Sequence, residues 1–159
     1  MTRLIAPAHA TSTSPPSAFF DRWADMATWP EWNADTEWAR LDGPFAEGSA
    51  GVLKPRGGPR NKFVIERLVP DEVLVDVSHL FGARLAFSQL VTADRADGGT
   101  SIDVTISLEG PLGWLWSRVL DEGFRATAQP DLDRLAQVVE ADRGAVIAPD
   151  RLPTAPVDP

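Results

Sequence analysis

The chain has 159 residues, 43% of them hydrophobic and 24% charged, with a formal net charge of -8 and no cysteine. These values fit one soluble globular domain with a sizeable core; the lack of cysteine excludes disulfides, thiolate nucleophiles and Cys-ligated metals. The acidic balance argues against nucleic acid held on a broad basic face, because phosphate affinity comes from clustered Lys and Arg.

The N-terminal stretch MTRLIAPAHATSTSPP has no apolar run long enough for a signal peptide, and no later window approaches the roughly 18 apolar residues of a membrane span. A cytoplasmic protein without membrane insertion is expected. Residues 3–13 are small and turn-poor and suit a first strand. Ser14-Pro15-Pro16-Ser17 then starts a helix, Ser14 as its cap candidate and proline in its first turn. Phe19, Trp23 and Met26 form one apolar face of that helix. It must stop before Pro30, since proline lacks an N–H and restricts the residue before it. A second short helix or turn, Thr28-Trp29-Pro30-Glu31-Trp32-Asn33, leads into a strand at Thr36 to Leu41.

From there turn signals recur about every ten residues: Asp42-Gly43-Pro44, Gly57-Gly58-Pro59, Pro70-Asp71, Phe81-Gly82 and Asp97-Gly98-Gly99. Lys54, Arg56, Arg60 and Lys62 flank the second of these and read as a solvated hairpin tip, with an anion contact as the alternative. Short loops between successive strands imply an antiparallel meander with one buried and one wet face. Val73, Val75, Val77 and His79 share one parity, and Ile102, Val104, Ile106 and Leu108 another. Both sets are expected to face inward. Asp76, Asp103 and Glu109 fall out of phase with them and read as solvated charges.

After Gly110-Pro111 the period changes to about 3.6. Leu112, Trp116, Leu120, Phe124, Ala128, Leu132, Leu135 and Val139 trace one stripe over roughly 28 residues, about 40 Å of helix. Pro130 lies within it, so one kinked helix or two abutting helices are both compatible. Residues 143–159 are proline-rich and aperiodic and are expected to be a poorly ordered tail, leaving residues 1–142 as the domain.

This order, with TWPEWN at the helix-to-strand passage, LDGPFAEG after the second strand and SLEGPLGWLW before the last helix, resembles the START-like or Bet v 1-like superfamily. Within it the chain is most similar to the bacterial polyketide cyclase/dehydrase group of SRPBCC proteins, over about residues 3–140. The resemblance implies an α+β helix-grip fold. In it a curved antiparallel sheet of about seven strands wraps around a long C-terminal helix, two short helices follow the first strand, and a cavity lies between sheet and helix.

For chemistry the sequence offers little. No nucleophile elbow, phosphate loop, metal-binding HExxH or dinucleotide fingerprint is present, and RGGPRNK lacks the end of a phosphate loop. With two histidines far apart and no cysteine, neither a metal nor a cofactor is expected. His79, the one histidine inside the predicted core region, and Arg84, across the turn from it, are the weak catalytic candidates. A ligand held in the implied cavity would touch Trp32, Trp38, Phe63, Val77, His79, Phe87, Ile106, Trp116, Leu120 and Phe124. Trp29 and Trp32 have packing as their competing role. Trp116 follows the helix stripe, so Trp114 must lie elsewhere, at the cavity mouth, in a loop contact or in a dimer interface.

The expected function is binding of a small hydrophobic molecule, polyketide-, lipid- or aromatic-like, by a monomer or homodimer. A cyclase, dehydratase or aromatase working in the same cavity, and a regulatory module that binds a protein partner, are the alternatives.

Overall fold

The computed structural model describes residues 2–93, 96 and 98–147. Its elements are β1 (Arg3–Ser12), α1 (Pro16–Ala24), a 3-10 helix (Met26–Glu31), β2 (Thr36–Leu41), β3 (Ala50–Pro55), β4 (Asn61–Val69), β5 (Val73–Leu80), β6 (Ala83–Ala93), β7 (Thr100–Glu109) and α2 (Gly113–Ile147). The strands form a single curled antiparallel sheet in the order β1-β7-β6-β5-β4-β3-β2. Consecutive strands from β2 to β7 are joined by short turns and lie side by side, so the chain meanders across the sheet. β1 then closes on β7, with Ala8 opposite Val104 and Ala10 opposite Ile102.

This is the helix-grip architecture expected from the sequence, with seven strands and two short helices after the first. α2 lies mainly along β1, whose alanines Ala8 and Ala10 let it approach closely. It also covers part of that edge: the Gln129 amide donates to the His9 carbonyl at 2.8 Å, and its oxygen accepts the His9 N–H at 3.0 Å. An edge strand with its hydrogen bonds occupied offers less for another chain to pair with.

Pro130 sits inside α2, and the helix runs on through it as one element. Five residues of the expected tail, 143–147, are helical; residues 148–159 lie outside the described residues. At the start of α1 one expectation is corrected. Pro15, not Ser14, is the cap residue, its carbonyl accepting the Ala18 N–H at 3.1 Å. The Ser14 hydroxyl has no partner, while the Ser14 carbonyl accepts from Thr100 Oγ1 at 2.7 Å. With prolines at the next two positions, Ser14 is pulled back toward β1 and pins the α1 entry to β7 instead.

Two glycines are required by close approach. A Cβ on Gly51 would stand 2.4 Å from the Phe63 ring and 2.6 Å from the Arg40 carbonyl, so only glycine lets Phe63 lie across β3. Gly82, at φ 65°, faces Leu112 so closely that a Cβ would sit 2.7 Å from its side chain; the turn between β5 and β6 thereby seats the start of α2.

The apolar core is in two clusters. The larger joins Phe19, Trp23 and Trp29 from the short helices to Phe63, Ile102 and the far half of the α2 stripe, Leu132, Leu135 and Val139. The smaller joins Ile5, Leu85, Ile106 and Leu108, with Trp116, Leu120 and Phe124 from the near half of α2 packed against it. Full burial of such side chains contributes about 1.5–3 kcal/mol each. Arg22 fastens the two short helices to α2, pairing with Glu31 and with Asp142 at 2.6 Å. Among the described residues, no helix is long and apolar enough to cross a membrane.

Candidate functional site

Between the two clusters the sheet and α2 stand apart and enclose a cavity of about 300 Å3. Its floor is the concave face of β4 to β7, its roof is α2, and its end wall is the 3-10 helix. Most lining residues come from one face of a strand or of α2; Trp32, Asn33 and Asp35 come from the segment between the 3-10 helix and β2. β6 contributes Leu85, Phe87 and Gln89, β7 Val104 and Ile106, and α2 Leu120, Phe124 and Leu132. Phe87 and Phe124 meet edge to face with centroids 5.5 Å apart, a favoured aromatic geometry.

The tryptophans of TWPEWN divide their work. Pro30 within the 3-10 helix fixes the backbone so that Trp29 turns into the core. There its indole N–H donates to the Trp23 carbonyl at 3.1 Å and its ring stacks on Phe63, centroids 6.2 Å apart. Trp32, packed against Trp29 at 5.7 Å, is only 9% exposed, yet its indole N–H has no partner. Both line the cavity. A buried donor left unsatisfied costs about 1–3 kcal/mol, so Trp32 carries a standing demand for an acceptor.

Of the ten residues expected to touch a ligand, Trp32, Phe63, Phe87, Ile106, Leu120 and Phe124 line the cavity. The other four do not. Val77 and His79 are on the opposite face of β5 from the one expected, because Leu74, Asp76 and Ser78 are the residues that turn inward. Val77 is buried but lies in neither core cluster, and His79 is exposed. Trp38 follows a register shift in β2 between Thr36 and Trp38. The inward parity passes from Thr36 to Ala39, leaving Trp38 outside with Arg40 and Arg60 over its ring at 5.6 and 5.9 Å. Trp116 stays on the inner side of α2 but beyond the cavity's end, its indole N–H bonded to the Phe81 carbonyl at 2.9 Å.

Arg84 is opposite His79 in the β5–β6 ladder, and it is engaged by Glu66 and by Glu109 at 3.2 Å on the outer face. Neither of the two catalytic candidates, His79 and Arg84, therefore lines the cavity. Trp114 is half exposed, beside exposed Leu115 and near exposed Val119.

The residue that sequence reasoning missed is Asp76. Read as a solvated charge, it instead lines the cavity wall, cross-strand from Phe87. Burial pushes its carboxyl up to about 7, with the Gln89 side-chain amide and a backbone N–H acting the other way. The Gln89 side chain stabilises that carboxylate, and its own side-chain oxygen is buried and unpartnered. Asp131, from α2, also lines the cavity and accepts the Ala34 N–H at 3.3 Å; burial raises its pKa above the ordinary value. A broader, open depression of about 630 Å3 lies between α1 and the end of α2, where Arg22, Glu31 and Asp142 satisfy one another. The enclosed cavity, with unsatisfied polar atoms in an apolar wall, is the stronger site. Among the described residues no group of three or more His, Asp or Glu is placed to hold a metal ion.

No protein-family model matches the chain, and no curated protein matches it by sequence. Solved structures do match. DynU16, from the dynemicin biosynthetic locus, aligns with a TM-score of 0.63 at 15% identity over 86% of this chain, which spans 47% of DynU16. Protein MLL2253 from Mesorhizobium loti gives 0.65 at 15% identity, covering 89% of this chain and 98% of its own. Ara h 8.0201 gives 0.61 at 13% identity, covering 89% and 99%. At these identities the likeness establishes the fold, and the resemblance to START-like and Bet v 1-like proteins holds at that level.

Proposed function

We propose, with the helix-grip fold as premise, that this protein binds a small hydrophobic molecule in the cavity between its sheet and α2. The observation that carries this reading is the unpartnered Trp32 indole N–H in an aromatic-walled cavity of about 300 Å3. That volume is at the small end of ligand pockets, which suits a molecule of one to three rings. Phe87, Phe124, Ile106 and Leu120 supply the apolar contact, and Trp32 and Gln89 supply orienting hydrogen bonds. The same reading makes the protein a cytoplasmic carrier, monomeric or homodimeric, with no part for nucleic acid or membrane.

A second reading has one observation in its favour. A carboxyl held near neutrality in an enclosed site is suited to general acid or base work, and Asp76 is such a group. An enzyme of the cyclase or dehydratase kind would use it to move a proton on the bound molecule, consistent with DynU16 coming from a biosynthetic locus.

Filling the cavity tests the primary reading. Leu120, half-buried on α2, has space in front of it. Leu120→Trp is expected to weaken N-phenyl-1-naphthylamine at least tenfold by fluorescence titration, about 1.4 kcal/mol, with thermal stability nearly retained. Unfolding would show that position 120 is close-packed, since overpacking costs roughly 1–3 kcal/mol. Unchanged probe affinity in a folded variant would place binding elsewhere. Turnover lost in Asp76→Asn with binding kept would favour the enzyme.

A further inference from the structure

Among the described residues, the ionisable side chains that line the cavity are Asp35, Asp76 and Asp131, with no Lys, Arg or His. Outside the lining, Arg56 donates to the Ala34 carbonyl at 3.0 Å and Arg134 to the Glu31 carbonyl at 2.8 Å, contacts that hold each side chain against the backbone. A carboxylate or phosphate entering this space would lose its hydration against a lining that has three acids and no basic side chain. The lining thus selects against the anionic head groups carried by fatty acids and phospholipids.

Two further atoms narrow the choice. The Gln89 side-chain oxygen is buried and unpartnered, and Gln89 is on the strand beside Asp76, two residues from Asp76's cross-strand neighbour Phe87 and on the same face. Both the carboxylate and the free amide oxygen are acceptors. A group that satisfies both brings at least two donors, and an ammonium offers three together with the positive charge that a carboxylate calls for. The aromatic walls, Trp32 and Phe87 among them, act in the same sense, since an aromatic ring attracts a cation placed over its face. The Trp32 N–H, a lone donor, calls for an acceptor elsewhere on the same molecule.

We propose that the ligand of this cavity is a hydrophobic amine, its ammonium set between the Asp76 carboxylate and the Gln89 side-chain oxygen and its rings against the aromatic walls. This rests on the cavity being a ligand site. The groups that face Asp76 across the cavity are Asp35, beside β2, and Asp131, from α2, and neither opposes an ammonium.

The experiment is calorimetric titration of the full chain with three probes that share one ring system: 1-naphthylmethylamine, 1-naphthalenemethanol and 1-naphthoate. At pH 8 the amine is expected to bind at least tenfold tighter than the alcohol, and the naphthoate weakest. Burial pushes Asp76 up to about 7, so at pH 6, where its carboxyl takes a proton, most of the amine's advantage is lost while the alcohol changes little. Asp76→Asn is expected to bring the amine to the affinity of the alcohol at pH 8. Should that variant fail to fold, the change between pH 8 and pH 6 in the unaltered chain gives the same test. Equal affinities for amine and alcohol, tighter binding of naphthoate, or an amine preference that survives Asp76→Asn would overturn this inference alone. Failure of all three probes to bind would overturn it together with the ligand site itself.

Discussion

β5 and β7 flank β6 in one sheet, and they wear their polarity in opposite senses. β7 turns Ile102, Val104, Ile106 and Leu108 to the concave side and Ser101, Asp103, Thr105 and Ser107 away, the ordinary arrangement of a half-buried strand. β5 turns Leu74, Asp76 and Ser78 inward and leaves Val73, Val75 and Val77 on the convex side. The difference follows what each strand faces. On β7, Ile102 and Leu108 are close-packed in the two core clusters, where a polar atom would have no partner, and only Val104 and Ile106 between them reach the cavity; on β5, the inward polar residues Asp76 and Ser78 both line it. An inverted strand is stable only where its inward polar groups have space, neighbours or a ligand to answer them. The inversion therefore marks the site.

The sharpest break of that comparison is to give β7 what β5 already has. Ile102 is fully buried in the larger cluster. Ile102→Asp would set an unpaired carboxylate among close-packed apolar groups, and the expected loss is about 4 kcal/mol or more, a large part of a small domain's stability. Urea denaturation followed by tryptophan fluorescence should find the variant unfolded or nearly so at pH 7. If it kept the midpoint of the unaltered chain, the inner face of β7 would not be core, and its contrast with β5 would disappear.

Removing the inward charge of β5 should act in the other direction and more weakly. Asp76 has an ordinary pKa of 3.8 and is raised to about 7 in the folded chain, chiefly by burial. The folded state thus holds the proton more tightly than the unfolded chain. Stability contributed by the neutral form is full below pH 4 and is lost as pH rises toward 7. Asp76→Asn, neutral throughout, is expected to be more stable than the unaltered chain by roughly 2–4 kcal/mol at pH 8 and to differ little at pH 4. Thermal melts across that range check both size and sign. A variant less stable at pH 8 would show that the carboxylate is well solvated or paired in the fold.

How far the sequence discloses this molecule depends on which signal is asked. Turn signals at ten-residue spacing and the clean alternation of β7 specify a meander, and the α2 stripe specifies its cover, so the architecture is legible. The cavity wall is legible only in part. Phe63 and Phe87 stand out by aromatic content, but alternation marks the apolar face of a strand, not the inward one. On β5 those are opposite faces, so Val77 and His79 misled. Trp38 misled for another reason: the shift in β2 flips parity between Thr36 and Trp38, and no glycine flags it. One signal for Asp76 was present. Gln89 interrupts the inward run Leu85, Phe87, Val91 of β6, and a polar residue in a buried register calls for a polar neighbour on the adjacent strand.

The smallest expected effect concerns His79, whose outward placement separates the two faces of β5 most directly. Its side chain is exposed, and its ladder partner Arg84 already answers Glu66 and Glu109. Nothing in the cavity depends on it. His79→Ala should therefore change stability by no more than about 0.5 kcal/mol, as for surface substitutions generally, and leave N-phenyl-1-naphthylamine affinity within twofold. Ser78→Ala, one residue away and facing inward at the cavity wall, should alter the probe's affinity more than His79→Ala does. The reverse order would mean that β5 presents its odd-numbered face to the ligand, and that the inversion which sets it apart from β7 is wrong.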